Sequence, residues 1–331
     1  MKAACETFWS NVQAREAELL GMPAEERMEA LNEMLVPPLE ELVIEVEGDD
    51  DDPCYKLVLS ADGIVERFEP LMALASAPPS LASIEVVAFR QRTAESFGMR
   101  MQDFELATGD VLVRHMVEDG KVALEIAFAK AIPMDMRDHA QHMAFIMLDH
   151  VLGEYDFAVK VGTVDFAGPD APFDGVSLND FVPLFDACWR DTLGHTGVRG
   201  PEDSWRGLEA VRDVDGREVS LLVHLNNAAN GLVARADLAY HLQVDLEVSS
   251  REELDLARAL EDALAAQMDR HDQGVLTHVV LEGSLRSVHF QVADGEAALA
   301  AAQAVASREA PSARCALDFD PRWDAYCRWL Q

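Results

Sequence analysis

His139 and His142 stand three residues apart in a segment, 138–153, patterned as a helix. Residues i and i+3 share a helix face, so the pair could chelate a metal ion and activate water for hydrolysis. Asp149 and His150 lie on the same helix. His150 falls on nearly the same side but about 16 Å further along, given the helical rise per residue. It therefore cannot join the pair on one ion, and a further ligand must come from elsewhere. No HExxH is present. The competing reading is a half-exposed helix with histidines at the edge of its core.

A second concentration of chemistry is acidic. Glu45, Glu47, Asp49, Asp50, Asp51 and Asp52 crowd one predicted hairpin tip. They lack the D-x-D-x-D-G…E order of a calcium loop. The tip reads as a solvated turn or as a docking patch for Lys and Arg of a partner. Asp213-Val214-Asp215-Gly216 is a turn before a strand rather than a calcium fragment. His115, His224, His241, His278 and His289 fall on predicted strands, each read as a satisfied structural residue. They converge only if their sheets pack together.

Other catalytic signatures are missing. There is no G-x-S-x-G elbow and no P-loop. Gly194, Gly197 and Gly200 have no strand-glycine-helix context. Cys188 sits inside a helical pattern, where a buried structural thiol is expected. No cofactor is expected.

Charge narrows the partners. The chain has 27 basic and 60 acidic residues, a formal net charge of −33. Phosphate backbones and anionic lipid surfaces both need Lys and Arg, so nucleic acid and membrane are disfavoured. A basic protein partner is favoured. The five cysteines, Cys5, Cys54, Cys188, Cys315 and Cys327, are odd in number and contain no CxxC. Reduced thiols follow, and with no apolar leader at MKAACETFWSNVQ the expected location is cytoplasmic.

The elements that must position these groups are α+β. Helical patterns cover 7–35, broken at Met22-Pro23. Strands at 42–48 and 56–60, a helix at 65–75 and a strand at 83–90 make a ββαβ unit. Strands at 111–117 and 122–128 flank Asp119-Gly120, a hairpin signal. A helix at 136–154 and a strand at 155–166 complete a second ββαβ unit, and a helix follows at 178–193. Residues 194–207 read as a linker. Beyond it a strand is expected at 219–225, and from Tyr240 the order is βαββαβ, a ferredoxin-like split with both helices on one face of an antiparallel sheet. Ser250 and Glu253 suit a capping box on its first helix. The expected domains are 1–193 and 208–331. The closing PRWDAYCRWL needs Trp323, Tyr326 and Trp329 against the body to be ordered.

The segments KLVLSADGIVERFEPLMALASAPPSLASIEVVAFRQR and AFIMLDHVLGEYDF, with the C-terminal unit, resemble a bacterial family defined as a domain of unknown function. The C-terminal unit also resembles the small ferredoxin-like type-B regulators of ribonuclease E. The first resemblance implies a fold. The second implies inhibition by protein binding, and the charge favours a basic partner, such as a nuclease or toxin. The expected function is thus a non-catalytic acidic regulator or inhibitor. The alternatives are a metal-dependent hydrolase using His139 and His142, and a small-ligand-binding module.

Overall fold

The computed structural model describes residues 1–330 apart from 50–51, 102–103, 169–170, 215 and 270–272. It is α+β and divides into two compact units. The first comprises Met1–Met116 and Ala123–Phe185, and the second Val117–Val122 and Asp186–Gln331.

The first unit opens with α1 (Lys2–Leu20) and α2 (Ala24–Asn32), divided at Pro23 as its fixed φ requires. The end of α1 leaves carbonyls without helical partners. Arg27 reaches back from α2 to meet them, donating to the carbonyls of Leu19 (2.8 Å), Leu20 (3.2 Å) and Met22 (2.8 Å). Its guanidinium also lies 4.2 Å from the Tyr55 ring centre. One buried cation thus joins the helical lead-in to the first sheet.

That sheet has β1 (Val43–Glu47), β2 (Tyr55–Ser60) and β3 (Ile84–Ala88) in the order β1-β2-β3. β1 and β2 are antiparallel, while β2 and β3 are parallel. The crossover between the parallel strands carries α3 (Phe68–Ala75), as a parallel connection needs. A short hairpin follows, β4 (Gly98–Met101) with β5 (Phe104–Ala107). Next come β6 (Val111–Glu118) and β7 (Lys121–Phe128), whose Asp119-Gly120 turn takes φ of 47° and 69°. Both values are those a tight primed turn demands.

After β7 the chain departs from expectation. α4 (Arg137–Leu152) stops at Gly153, and a new helix, α5 (Glu154–Lys160), begins at once. Residues 155–160, expected as strand, are helical, and β8 (Val161–Phe166) is shorter than anticipated. Gly153 makes the corner with φ 81° and ψ 140°, a region closed to L side chains. Acidic Glu154 and Asp156 occupy the first turn of α5 and Lys160 its last, matching the helix dipole. β9 (Val176–Ser177) and α6 (Leu178–Ala187) follow, and the sheet order is β8-β7-β6-β9.

The second unit is built on a six-stranded sheet. Its strands are β10 (Trp205–Val214), β11 (Arg217–Asn226), β12 (Tyr240–Glu247), β13 (Gly274–Glu282), β14 (Leu285–Val292) and β15 (Arg314–Phe319). Their order is β10-β11-β13-β14-β12-β15, antiparallel throughout. Helices α7 (Arg251–Asp269) and α8 (Gly295–Glu309) share one apolar core with Leu242, Val244, Val288 and Phe290 on one sheet face. The capping box forms: Glu253 N donates to Ser250 Oγ (3.2 Å), and Ser249 N donates to the Glu253 carboxylate (2.6 Å). Residues 205–207, expected as linker, already belong to β10. Charged residues interrupt the apolar alternation of β10, so its strand character was hidden.

The opposite face of this sheet is covered by the C-terminal segment, with α9 (Asp324–Cys327), as its aromatic residues require. Trp323 and Tyr326 are buried. Trp323 Nε1 donates to the Leu238 carbonyl (2.9 Å) and the Tyr326 hydroxyl to the Asn226 carbonyl (3.0 Å). The β6–β7 tip belongs here too. Buried Lys121 donates Nζ to the Arg322 carbonyl. A ring nitrogen of His195 lies 3.1 Å from the Gly120 carbonyl.

Candidate functional site

His139 and His142 lie on α4, the first half-buried and the second exposed. Among the described residues no group of three or more His, Cys, Asp or Glu is arranged to hold a metal ion. No third ligand therefore gathers on this pair.

The acidic tip is partly committed elsewhere. Asp50 and Asp51 lie outside the described residues. Asp49 N donates to the Asp52 carboxylate (2.9 Å), which closes the turn. Glu47 is exposed and pairs with Lys56 at 3.7 Å. Glu45, two residues earlier on the same face of β1, turns to Arg90 (2.7 Å).

Arg90 organises a polar node that sequence reasoning missed. It follows β3, and its guanidinium reaches Glu45, Asp149 (3.0 Å) and Asp62. Burial alone would lower its pKa, but the hydrogen bonds to Asp62, Glu45 and Asp149 outweigh that and hold it above the usual value. Beside it, Glu154 is fully buried. One carboxylate oxygen accepts from Ser60 Oγ (3.2 Å), Ala61 N (2.8 Å) and Gly63 N (3.0 Å). The other accepts from Arg90 N (3.1 Å). These four bonds tie the β2 turn and the end of β3 to the start of α5, a structural role for the buried carboxylate. Burial pushes the Asp149 carboxyl up, against the opposing pull of Arg90.

The second unit holds the densest titratable cluster on its tail-covered face. His241, His278 and His289, from β12, β13 and β14, are all buried there. The rings of His278 and His289 stack at 4.1 Å and 5°, and those of His241 and His289 at 5.2 Å and 7°. They converge without packing of separate sheets, because their strands are neighbours and their side chains share one face. His115 and His224 stay apart, the first beside Phe181 in the first unit and the second exposed on β11. The missed signal was register: His278 sits opposite His289, and His241 opposite Gln291.

The hydrogen bonds settle part of the proton placement. Thr277 Oγ1 donates to the His289 carbonyl (3.0 Å) and lies 3.0 Å from His278 Nδ1. A hydroxyl has one proton, so His278 Nδ1 carries the hydrogen it accepts. His241 Nε2 and His289 Nδ1 are 2.9 Å apart, so one donates to the other. His289 Nε2 is buried with no hydrogen-bond partner among the described residues. An orphaned N–H is costlier than an orphaned lone pair, which favours His289 as the donor.

All three imidazoles are held neutral. Burial, then the positive charge that His241 and Arg328 would present, pushes His289 down to about 3. Burial, then the charges that His289, His241 and Arg328 would present, lowers His278 well below its ordinary value. For His241 burial also wins, although Asp320 and Asp318 oppose it. No activated thiol accompanies the stack, since burial raises Cys327 to about 11 and raises Cys315 too. The cluster therefore supplies neutral donors and acceptors inside the fold.

Comparison with family models, curated proteins and solved structures finds no match to this chain.

Proposed function

We propose that this protein is a non-catalytic acidic regulator or inhibitor that binds a basic protein partner, with a nuclease or toxin as the class to test. The observation that carries the reading is the excess of 60 acidic over 27 basic residues. Many of the cations are already spent on internal pairs. Arg90, Arg92, Arg199 and Arg286 each bind carboxylates of their own chain. The uncompensated carboxylates steer basic surfaces toward the protein and repel nucleic acid.

Two further points support the reading. Neither titratable cluster offers an activated nucleophile. The strand order β13-β14-β12-β15 with α7 and α8 also fits the ferredoxin-like split, and with it the resemblance to protein-binding regulators. That resemblance is one of fold, and partner identity must come from experiment.

The test is capture from lysate on the immobilised full chain, with elution by a salt step. The expected result is one basic protein retained at low salt and released as screening rises. Retention of nothing beyond a neutral control matrix would overturn the reading.

A further inference from the structure

β10 ends the six-stranded sheet, and no described strand pairs with its outer side. Its backbone polarity follows from one bond. Asn227 N donates to the Ser204 carbonyl (2.7 Å), while Trp205 lies opposite Asn226. In an antiparallel ladder hydrogen-bonded and non-hydrogen-bonded pairs alternate. Residues 206, 208, 210 and 212 therefore bond to β11. Trp205, Gly207, Glu209, Val211 and Asp213 turn their N–H and C=O groups outward. This is an unpaired strand template, which native proteins seldom leave bare without a use or a guard.

The side chains of the same five residues share one sheet face with Glu218, Leu222 and His224 of β11. His224 lies opposite Val279, so this is the face that carries α7 and α8. The helices do not cover its outer part. Val211 is 62% exposed, Leu222 44% and Trp205 43%. The named charges on this outer part are all negative: Glu209, Asp213 and Glu218. Asp213 and Glu218 are register partners on this face, and one oxygen of Asp213 accepts from Gly216 N in the turn (2.8 Å). Arg206 and Arg212 project from the other face, where Arg212 pairs with Glu282 and Arg206 reaches the Trp329 carbonyl.

We propose that β10 is the docking edge of this protein, taking an extended basic segment of its partner as an added strand. The segment bonds to the outward N–H and C=O groups of 205–213. Its Lys or Arg side chains lie over Glu209, Asp213 and Glu218, and an apolar residue covers Val211 or Trp205. The inference rests on the acidic-regulator reading and gives it a surface. A second copy of the chain is disfavoured as the occupant. A two-fold axis through an antiparallel strand pair keeps the sheet face, so it would bring two sets of these carboxylates together.

The probe is a labelled peptide of β10's length alternating Lys and Thr, with a Glu-Thr counterpart, titrated with the full chain and read by fluorescence anisotropy. Binding of the Lys peptide alone is expected. Val211→Pro removes one outward donor and leaves the β11 ladder whole; with unchanged circular dichroism it should weaken binding about tenfold. Glu209→Lys with Glu218→Lys, which leaves the Asp213 turn bond in place, should weaken it as well. Glu252→Lys with Asp255→Lys, the same charge change on exposed α7, should have much less effect. Equal losses from the α7 and β10 charge variants, with Val211→Pro silent, would overturn the edge while leaving the acidic-regulator reading intact. No binding of the Lys peptide at any salt would overturn both. A wild-type dimer abolished by Val211→Pro in sedimentation would assign the edge to a second copy and overturn the proposal.

Discussion

Each unit holds a polar cluster, partly buried in the first and buried in the second, and the two meet the cost of desolvation in opposite ways. The Arg90 node keeps its charges and surrounds them: one guanidinium meets three carboxylates, and Glu154 takes four hydrogen bonds. The histidine stack gives up its charge, since an imidazole can become neutral at modest cost. An arginine cannot. Residue chemistry thus decides the strategy: permanent cations must be paired, whereas titratable bases can be discharged.

The comparison breaks most severely at Arg90. Arg90→Ala leaves Glu45, Asp62 and Asp149 facing one another and should destabilise the first unit by about 3–5 kcal/mol. Urea unfolding, with hydrogen exchange resolved to each unit, reads this, and the second unit should be unaffected.

Acid should separate the two clusters next. His289 has a folded pKa of about 3, below an unfolded value near 6.5. The unfolded state therefore binds more protons between those values. The stability contributed by the neutral form is present above about pH 6.5 and falls as pH drops below it. At pH 5 the loss from His289 alone is about 2 kcal/mol, and His278 adds in the same direction. Thermal midpoints of wild type and His289→Leu from pH 7 to 5 check this: the variant should show the shallower decline. Asp149 has the opposite sign. Its raised folded pKa means that the folded state takes up a proton more readily, so acid relieves the node where it strains the stack.

Gly153→Ala tests the corner between α4 and α5. A Cβ there would meet Arg92 Cγ at 3.2 Å, at a φ of 81°. The expected loss is about 1–2 kcal/mol in the first unit, seen in the same urea titration. Asp149→Asn should be the mildest, within about 1 kcal/mol. The amide oxygen can still accept from Arg90, and the strained carboxylate is gone. Asparagine cannot take up the proton that acid gives Asp149, so the variant's stability should fall more steeply with acid than that of wild type.

Local signals carried much of the architecture. Asp119-Gly120, Met22-Pro23 and the Ser250–Glu253 box act over a few residues, and each marks its element correctly. What escaped were features set by distant partners. The helix at 154–160 depends on Glu154 being pinned by amides some 90 positions earlier in the chain. β10 lacks alternation because residues on both of its faces are exposed, Glu209 and Val211 on one and Arg206 and Arg212 on the other. The histidines looked solitary because convergence needs the register of β12, β13 and β14, which no local pattern contains. His139 and His142 were conspicuous through proximity along the chain, yet no third ligand joins them among the described residues.

The membership of Val117–Val122 in the second unit bears on how the protein is made. These six residues leave the ribosome ahead of Ala123–Phe185, all of which belong to the first unit, and ahead of the rest of their own. Domains tend to fold as units during synthesis, the N-terminal one first. Here the first unit can close while the hairpin tip that it carries still waits for a partner. The Lys121 bond to the Arg322 carbonyl spans 201 positions, so it can form only after that later stretch has been translated. A gene fragment beginning at Asp186 would encode the second unit without one of its own pieces, so no single cut in the message separates the two units.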